Sequence, residues 1–191
     1  MKNYRTTILL VDDDPHFLGF VELALRQNGV TTPIQKTSDG EEAIAYLMGQ
    51  GKFSDRIAYP YPTFVVTDLK MPRADGFAVL RHLKKNPEWA IIPTVVFSAS
   101  DDEDDIKKSY MLGASSYHVK PMGLEKLRQQ MKILHDYWMT CECPEVDGTG
   151  RQLSTNSNGK LGENIPQPSG TATQKSVPPL PVAQRATAGG T

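Results

Sequence analysis

Cysteine is scarce in this chain: Cys141 and Cys143 are the two present in 191 residues, one residue apart, near the end of the patterned region. This excludes a four-thiolate zinc site and the disulfide framework of a small secreted domain, and leaves two reduced surface thiols. No apolar run approaches the ~18 residues of a membrane span, and the first residues lack a signal peptide's apolar stretch. The expected location is the cytoplasm, with no membrane partner. Charge of one sign is also missing. The 21 basic and 22 acidic residues give a formal net charge of -1, so no overall field draws the protein to nucleic acid or to an anionic membrane. Aromatic residues stop at Trp138, and beyond about Cys141 glycine, proline, serine and threonine dominate. Such a segment buries too little surface to offset the entropy lost on ordering. The expected organisation is a folded domain over 1–140 and a flexible, largely disordered tail over 141–191.

What remains is rhythmic. Apolar, β-branched runs at roughly 6–11, 31–36, 63–67, 93–98 and 115–119 read as strands, and helical periods lie between them. Strands alternating with helices predict a parallel sheet covered on both faces. The second run is weakly apolar and contains Pro33, which favours an edge position. The first helical stripe is Phe17, Phe20, Val21 and Ala24, stopped at Asn28-Gly29. A second helix opens at Ser38 or Asp39 and turns Ala43, Ile44 and Leu47 inward. The third repeats Gly76, Phe77, Leu80 and Leu83, and the fourth starts in the acidic run Asp101 to Asp105. The fifth carries Leu124, Leu127, Met131, Leu134 and Trp138. The connection from Gly49 to Pro62 exceeds the usual ~2 to 6 residues, and its Phe53, Tyr59 and Tyr61 are expected to fold back on the domain.

The strands end in chemistry. The first delivers Asp12, Asp13 and Asp14, the third Asp68, the fourth Ser98 and the fifth Lys120-Pro121. An open parallel sheet gathers its ligands outside the carboxyl ends of its strands. If the first and third strands are neighbours, their carboxylates converge and repel unless a cation intervenes. Hard oxygen ligation without nearby cysteine or histidine selects magnesium or manganese over zinc. The proposed direct ligands are Asp13, Asp68 and the backbone carbonyl of Lys70, with Asp12 acting through water. A hydroxyl at Ser98 and an ammonium at Lys120 suit the outer oxygens of a phosphoryl group, and Asp68 is placed to attack one as nucleophile.

These residues resemble the receiver domain of two-component response regulators. The matching segments are Val11-Asp12-Asp13-Asp14-Pro15, Asp68-Leu69-Lys70-Met71-Pro72 with Asp75-Gly76, Phe97-Ser98-Ala99, and Gly113-Ala114 through Tyr117 to Lys120-Pro121. The resemblance implies a flavodoxin-like, doubly wound five-stranded parallel sheet of order 2-1-3-4-5. It also implies an acidic pair at Asp12 and Asp13, a phosphoacceptor at Asp68, a switch pair at Ser98 and Tyr117, and a cis Lys120–Pro121 peptide. The long connection, the opening of the fourth helix and the Asp136-Tyr137-Trp138 ending resemble stand-alone receivers that work with bacterial phytochromes and related sensor histidine kinases.

The implied function is phosphoacceptor signalling in a phosphorelay, with self-phosphorylation and self-dephosphorylation as its only chemistry. Two alternatives remain: a magnesium-dependent phosphohydrolase with an aspartate nucleophile, and a receiver-like binding protein that works without phosphorylation. Against the first, Leu69-Lys70 stands where a second acid would protonate a leaving group. Nothing after Trp138 has the basic recognition helix of a DNA-binding domain. The stripe on the fifth helix looks too long for one sheet to cover, which predicts a homodimer through the fourth-helix to fifth-helix face, with Trp138 in the contact.

Overall fold

A computed structural model describes residues 7–86 and 89–141. All of them belong to one compact unit, Met1–Thr155; the expected tail, Cys141 apart, lies outside the described residues. The strands are β1 (Ile8–Val11), β2 (Ile34–Thr37), β3 (Phe64–Thr67), β4 (Thr94–Ser98) and β5 (Ser116–Val119). The helices are α1 (Pro15–Gln27), α2 (Gly40–Met48), α3 (Gly76–Lys85), α4 (Glu103–Met111) and α5 (Leu124–Thr140). The sheet is parallel throughout and ordered β2-β1-β3-β4-β5. The second strand, which begins just after Pro33, is at an edge, as its weak apolar pattern predicts.

Alternation along each strand builds two layers. Ile8, Leu10, Phe64, Val66, Val95 and Phe97 face α1 and α5, while Leu9, Val11 and Val65 face α2 and α3. On the second side, Val96 packs with Leu69, Phe77 and Leu80, and Tyr117 closes that cluster. Because β1 and β3 pair with Val11 opposite Thr67, the residues that follow both strands leave the sheet side by side.

Side chains set the helix starts. Asp14, Asp39, Asp75 and Asp102 each accept from a backbone N–H in the first turn of α1, α2, α3 and α4 respectively. Gly76 is there for space. A Cβ at that position would lie 2.0 Å from the Asp68 carbonyl oxygen, so α3 begins in contact with the loop that carries Asp68.

Three expectations are corrected. Phe20 is 45% exposed, and the inward face of α1 is Leu18, Val21, Ala24 and Leu25. Val21 and Ala24 are as expected and Phe17 packs at the rim of the core, while Leu18 and Leu25 take the place expected for Phe20. The stripe of α5 does not outrun its own domain: Leu127, Met131 and Leu134 are buried against β1, β3, β4 and α1, and Trp138 stacks on Phe64. Only Leu124 of that stripe stays exposed. The Lys120–Pro121 peptide is trans, as no peptide bond among the described residues is cis; the lysine reaches its partners across the sheet in that geometry.

The long connection folds back as expected. A turn of 3-10 helix at Gly51–Phe53 buries Phe53, which meets Tyr46 and Tyr59 edge to face. Arg56 donates to the carbonyls of Tyr46 (2.7 Å), Leu47 (2.6 Å) and Tyr59 (3.1 Å), and lies over the Tyr61 ring. The guanidinium thus supplies a donor to the Leu47 carbonyl at the end of α2 and adds a second to that of Tyr46, which also accepts from the Gly49 N–H (3.1 Å).

Candidate phosphoacceptor site

The pocket sits where β1, β3, β4 and β5 end. Asp12 and Asp68 are buried, Asp13 is exposed, and one carboxylate oxygen from each falls within 4.8 Å of the others. Lys120 enters from the end of β5 and donates to Asp12 Oδ2 (2.7 Å) and Asp68 Oδ2 (2.8 Å). The remaining oxygens are held by the backbone: Asp12 Oδ1 accepts from the Asp14 N–H (3.0 Å), and Asp68 Oδ1 from that of Leu69 (2.6 Å). Fixing both carboxylates by hydrogen bonds orients them before any ligand arrives.

The electrostatics are unbalanced. Burial pushes the Asp12 carboxyl above its ordinary value, against the lowering effects of Lys120 and the Asp14 N–H, and Asp68 adds like-charge repulsion. Burial alone would pull Lys120 down, but its hydrogen bonds to Asp12 and Asp68 hold it above its ordinary value and keep it charged. One ammonium therefore does not fully compensate the carboxylates. An all-oxygen donor set with surplus negative charge fits a hard divalent cation.

Ser98 is buried at the end of β4, and its Oγ accepts from the Ser100 N–H at 3.4 Å. Tyr117 is half-buried. Its hydroxyl donates to the Ser100 carbonyl (2.8 Å), and burial raises its pKa against lowering contributions from hydrogen bonding to Ser100 and Ser98. The side chain of Lys70 points across to α4, with Nζ 3.5 Å from both Asp105 Oδ2 and Ser100 Oγ. Ser100 Oγ in turn donates to Asp105 at 2.7 Å. On the other flank Arg73, in the left-handed region at φ 63°, pairs with the fully buried Asp39 at the start of α2. The loop after Asp68 is thus tied to α4 by Lys70 and to α2 by Arg73.

Every residue singled out from sequence lies at this end of the sheet. Ser100, Asp105, Arg73 and Asp39 are participants the sequence did not disclose. Asp39 and Asp105 read there only as helix-start charges, and nothing local marks Ser100 or Arg73 as their partners. Phe17, read as a core residue, has its ring centroid 4.2 Å from the Lys120 ammonium.

Fold and pocket together define a parallel α/β protein with an acidic, lysine-bridged pocket at the carboxyl ends of its strands. Residues 8–132 match the response regulator receiver domain, and the chain belongs to that family. It is 32% identical over 138 residues to response regulator Rcp1 of Synechocystis sp., covering 72% of this chain and 92% of that one. Among solved structures it resembles the phosphorylated cyanobacterial phytochrome response regulator RcpA, at 32% identity and TM-score 0.69, covering 74% of this chain and 100% of the other. It also resembles the Mn(2+)-bound form of Rcp1, at 31% identity and TM-score 0.67, covering 73% and 99%. The chain is a phosphoacceptor response regulator of two-component signalling.

Proposed function

We propose that Asp68 is the residue that accepts the phosphoryl group and that a magnesium ion assists. The observation that carries this reading is the convergence of Asp12, Asp13 and Asp68 with the Lys120 ammonium held between two of them. Asp13, Asp68 and the Lys70 carbonyl would hold the ion, with Asp12 acting through water. When bound it supplies charge neutralisation for the incoming phosphoryl oxygens.

The transfer itself belongs to the carboxylate. An Asp68 oxygen attacks phosphorus, the bond from phosphorus to the donor's leaving atom breaks, and an acyl phosphate forms. Lys120 exchanges its bond to the Asp68 oxygen for one to a phosphoryl oxygen, and Ser98 offers its hydroxyl to another. Drawing Ser98 inward disturbs Ser100, whose carbonyl anchors Tyr117 and whose hydroxyl anchors Asp105, so the signal passes to α4 and β5.

The natural donor in this reading is a sensor histidine kinase, and the likeness to phytochrome response regulators supports a bacteriophytochrome. The setting is cytoplasmic; among the described residues no helix is long and apolar enough to cross a membrane. Receiver domains are signalling rather than catalytic proteins, and this one is taken to turn over only its own acyl phosphate. A homodimer through the α4–β5–α5 face is supported by the exposed apolar residues Tyr110 and Met111 (75% exposed) of α4, Val119 of β5 and Met122 just beyond it (90% exposed), α4 and β5 being in contact.

Incubation with acetyl phosphate tests the reading. The expected result is an acyl phosphate that accumulates with magnesium or manganese and fails to form when the metal is chelated. Many turnovers of phosphoester without an accumulated adduct would instead mark a hydrolase.

A further inference from the structure

Lysine carries three N–H donors, and two of those on Lys120 are spent on Asp12 and Asp68. The ammonium has little water to turn to, since its side chain is only 16% exposed. What lies on its remaining side is the ring of Phe17, with the centroid 4.2 Å from Nζ. That ring is not free to drift. It stacks on Phe97 at 5.9 Å and 25°, and Phe97 is contacted from the adjacent strand β5 by His118. Phe97 directly precedes Ser98, and His118 stands two residues before Lys120. Phe17 also lines the small cavity beneath Asp12 and Asp68.

We infer that Phe17 is a positioning residue for Lys120: its π face receives the third side of the ammonium and holds it over the acceptor carboxylate. Leucine or methionine would fill much of the space against Phe97, but neither presents the negative ring face that attracts a cation. The attraction is strongest where the cation has lost its water, which is the situation of Lys120. During transfer the lysine must pass from the carboxylate to a phosphoryl oxygen. A broad ring face lets it make that move without losing its third contact, as a directional hydrogen bond would not. The inference rests on the reading of Asp68 as acceptor and Lys120 as its charge partner.

The test replaces Phe17 in the full chain with ring-fluorinated phenylalanines of increasing fluorine content, which weaken the π face while nearly preserving shape. Phe17→Tyr and Phe17→Leu accompany the series. Phosphorylation by acetyl phosphate at saturating magnesium is followed by intact mass, and stability by urea unfolding. The expected result is a graded fall in phosphorylation rate, reaching about five-fold at the heavily fluorinated end, at constant unfolding midpoint. Phe17→Tyr should keep the wild-type rate and Phe17→Leu should match the slowest analogue. In a Lys120→Ala background the gradient should vanish. A flat series in a chain whose wild type labels normally on Asp68 overturns the inference alone. A wild type that does not label overturns the acceptor reading, and this inference with it. A gradient that survives Lys120→Ala assigns the effect to packing and also overturns it.

Discussion

Lys120 shows how much one residue depends on its surroundings. Its charge is legible from sequence as a lysine at a strand end before proline, and its two carboxylate partners follow once the strand order is known. The ring beside it is not legible, because Phe17 obeys the helical period and gives no sign of facing a cation. Lys120→Ala should leave Asp68 able to accept a phosphoryl group, at a rate reduced by about ten-fold or more, since one charge-assisted contact to the phosphoryl group is gone; quench-flow mass analysis checks it. Gly76 makes a different point at the same scale. Its place at the head of the third helix, shaping the loop after Asp68, is legible from sequence; the close approach that lets α3 touch the Asp68 carbonyl is not. Gly76→Ala should cost about 1–3 kcal/mol of stability by urea unfolding, as overpacking does, and should slow phosphorylation because the strain falls on the acceptor loop.

Elements were legible where their period was strong, and their partners were not. The five strands and five helices lie close to their expected positions, but the face of α1 was misjudged at Phe20 because an apolar residue at the rim of a stripe carries the same signal as one at its centre. The clasp between the acceptor loop and α4 was invisible, since Lys70 and Asp105 lie far apart in sequence and each is an ordinary surface charge. The Ser100 hydroxyl, with help from Lys70, holds the Asp105 carboxyl below its ordinary value. A carboxylate depressed in the folded state stabilises above its unfolded pKa and loses that contribution as pH falls through the folded one. The clasp should therefore contribute fully above the ordinary aspartate value of 3.8 and open only once the pH has fallen through the lower value of the folded state. Asp105→Asn should loosen the first turn of α4 at neutral pH, seen as faster amide exchange over 100–106. In acid the variant and the wild type should become indistinguishable there; an unchanged difference would refute the clasp. Arg56 anchors the other unusual element. Arg56→Met removes its bonds to three carbonyls and should cost about 1–3 kcal/mol, with exchange rising across 49–62 while the acceptor loop is unaffected.

At the scale of the whole molecule, the α/β class and the pocket's place at the strand ends were legible from strand-helix alternation and the polar strand ends, whereas the sheet order rested on the resemblance to receiver domains and matches the observed β2-β1-β3-β4-β5. Self-association is not legible from the α5 stripe: Trp138 stacks on Phe64 inside its own domain, and the length of a stripe does not reveal that α1 and the sheet together cover it. Trp138→Ala should lower stability by about 2–4 kcal/mol without shifting the sedimentation coefficient of the folded protein. Met111→Lys should do the reverse, moving any dimer toward monomer at unchanged stability. The central claim, that this chain signals by carrying a phosphoryl group on Asp68, is tested most directly by intact mass after incubation with acetyl phosphate and magnesium. The wild type should gain one labile phosphoryl group and Asp68→Asn none; labelling of Asp68→Asn at the wild-type rate would contradict the account.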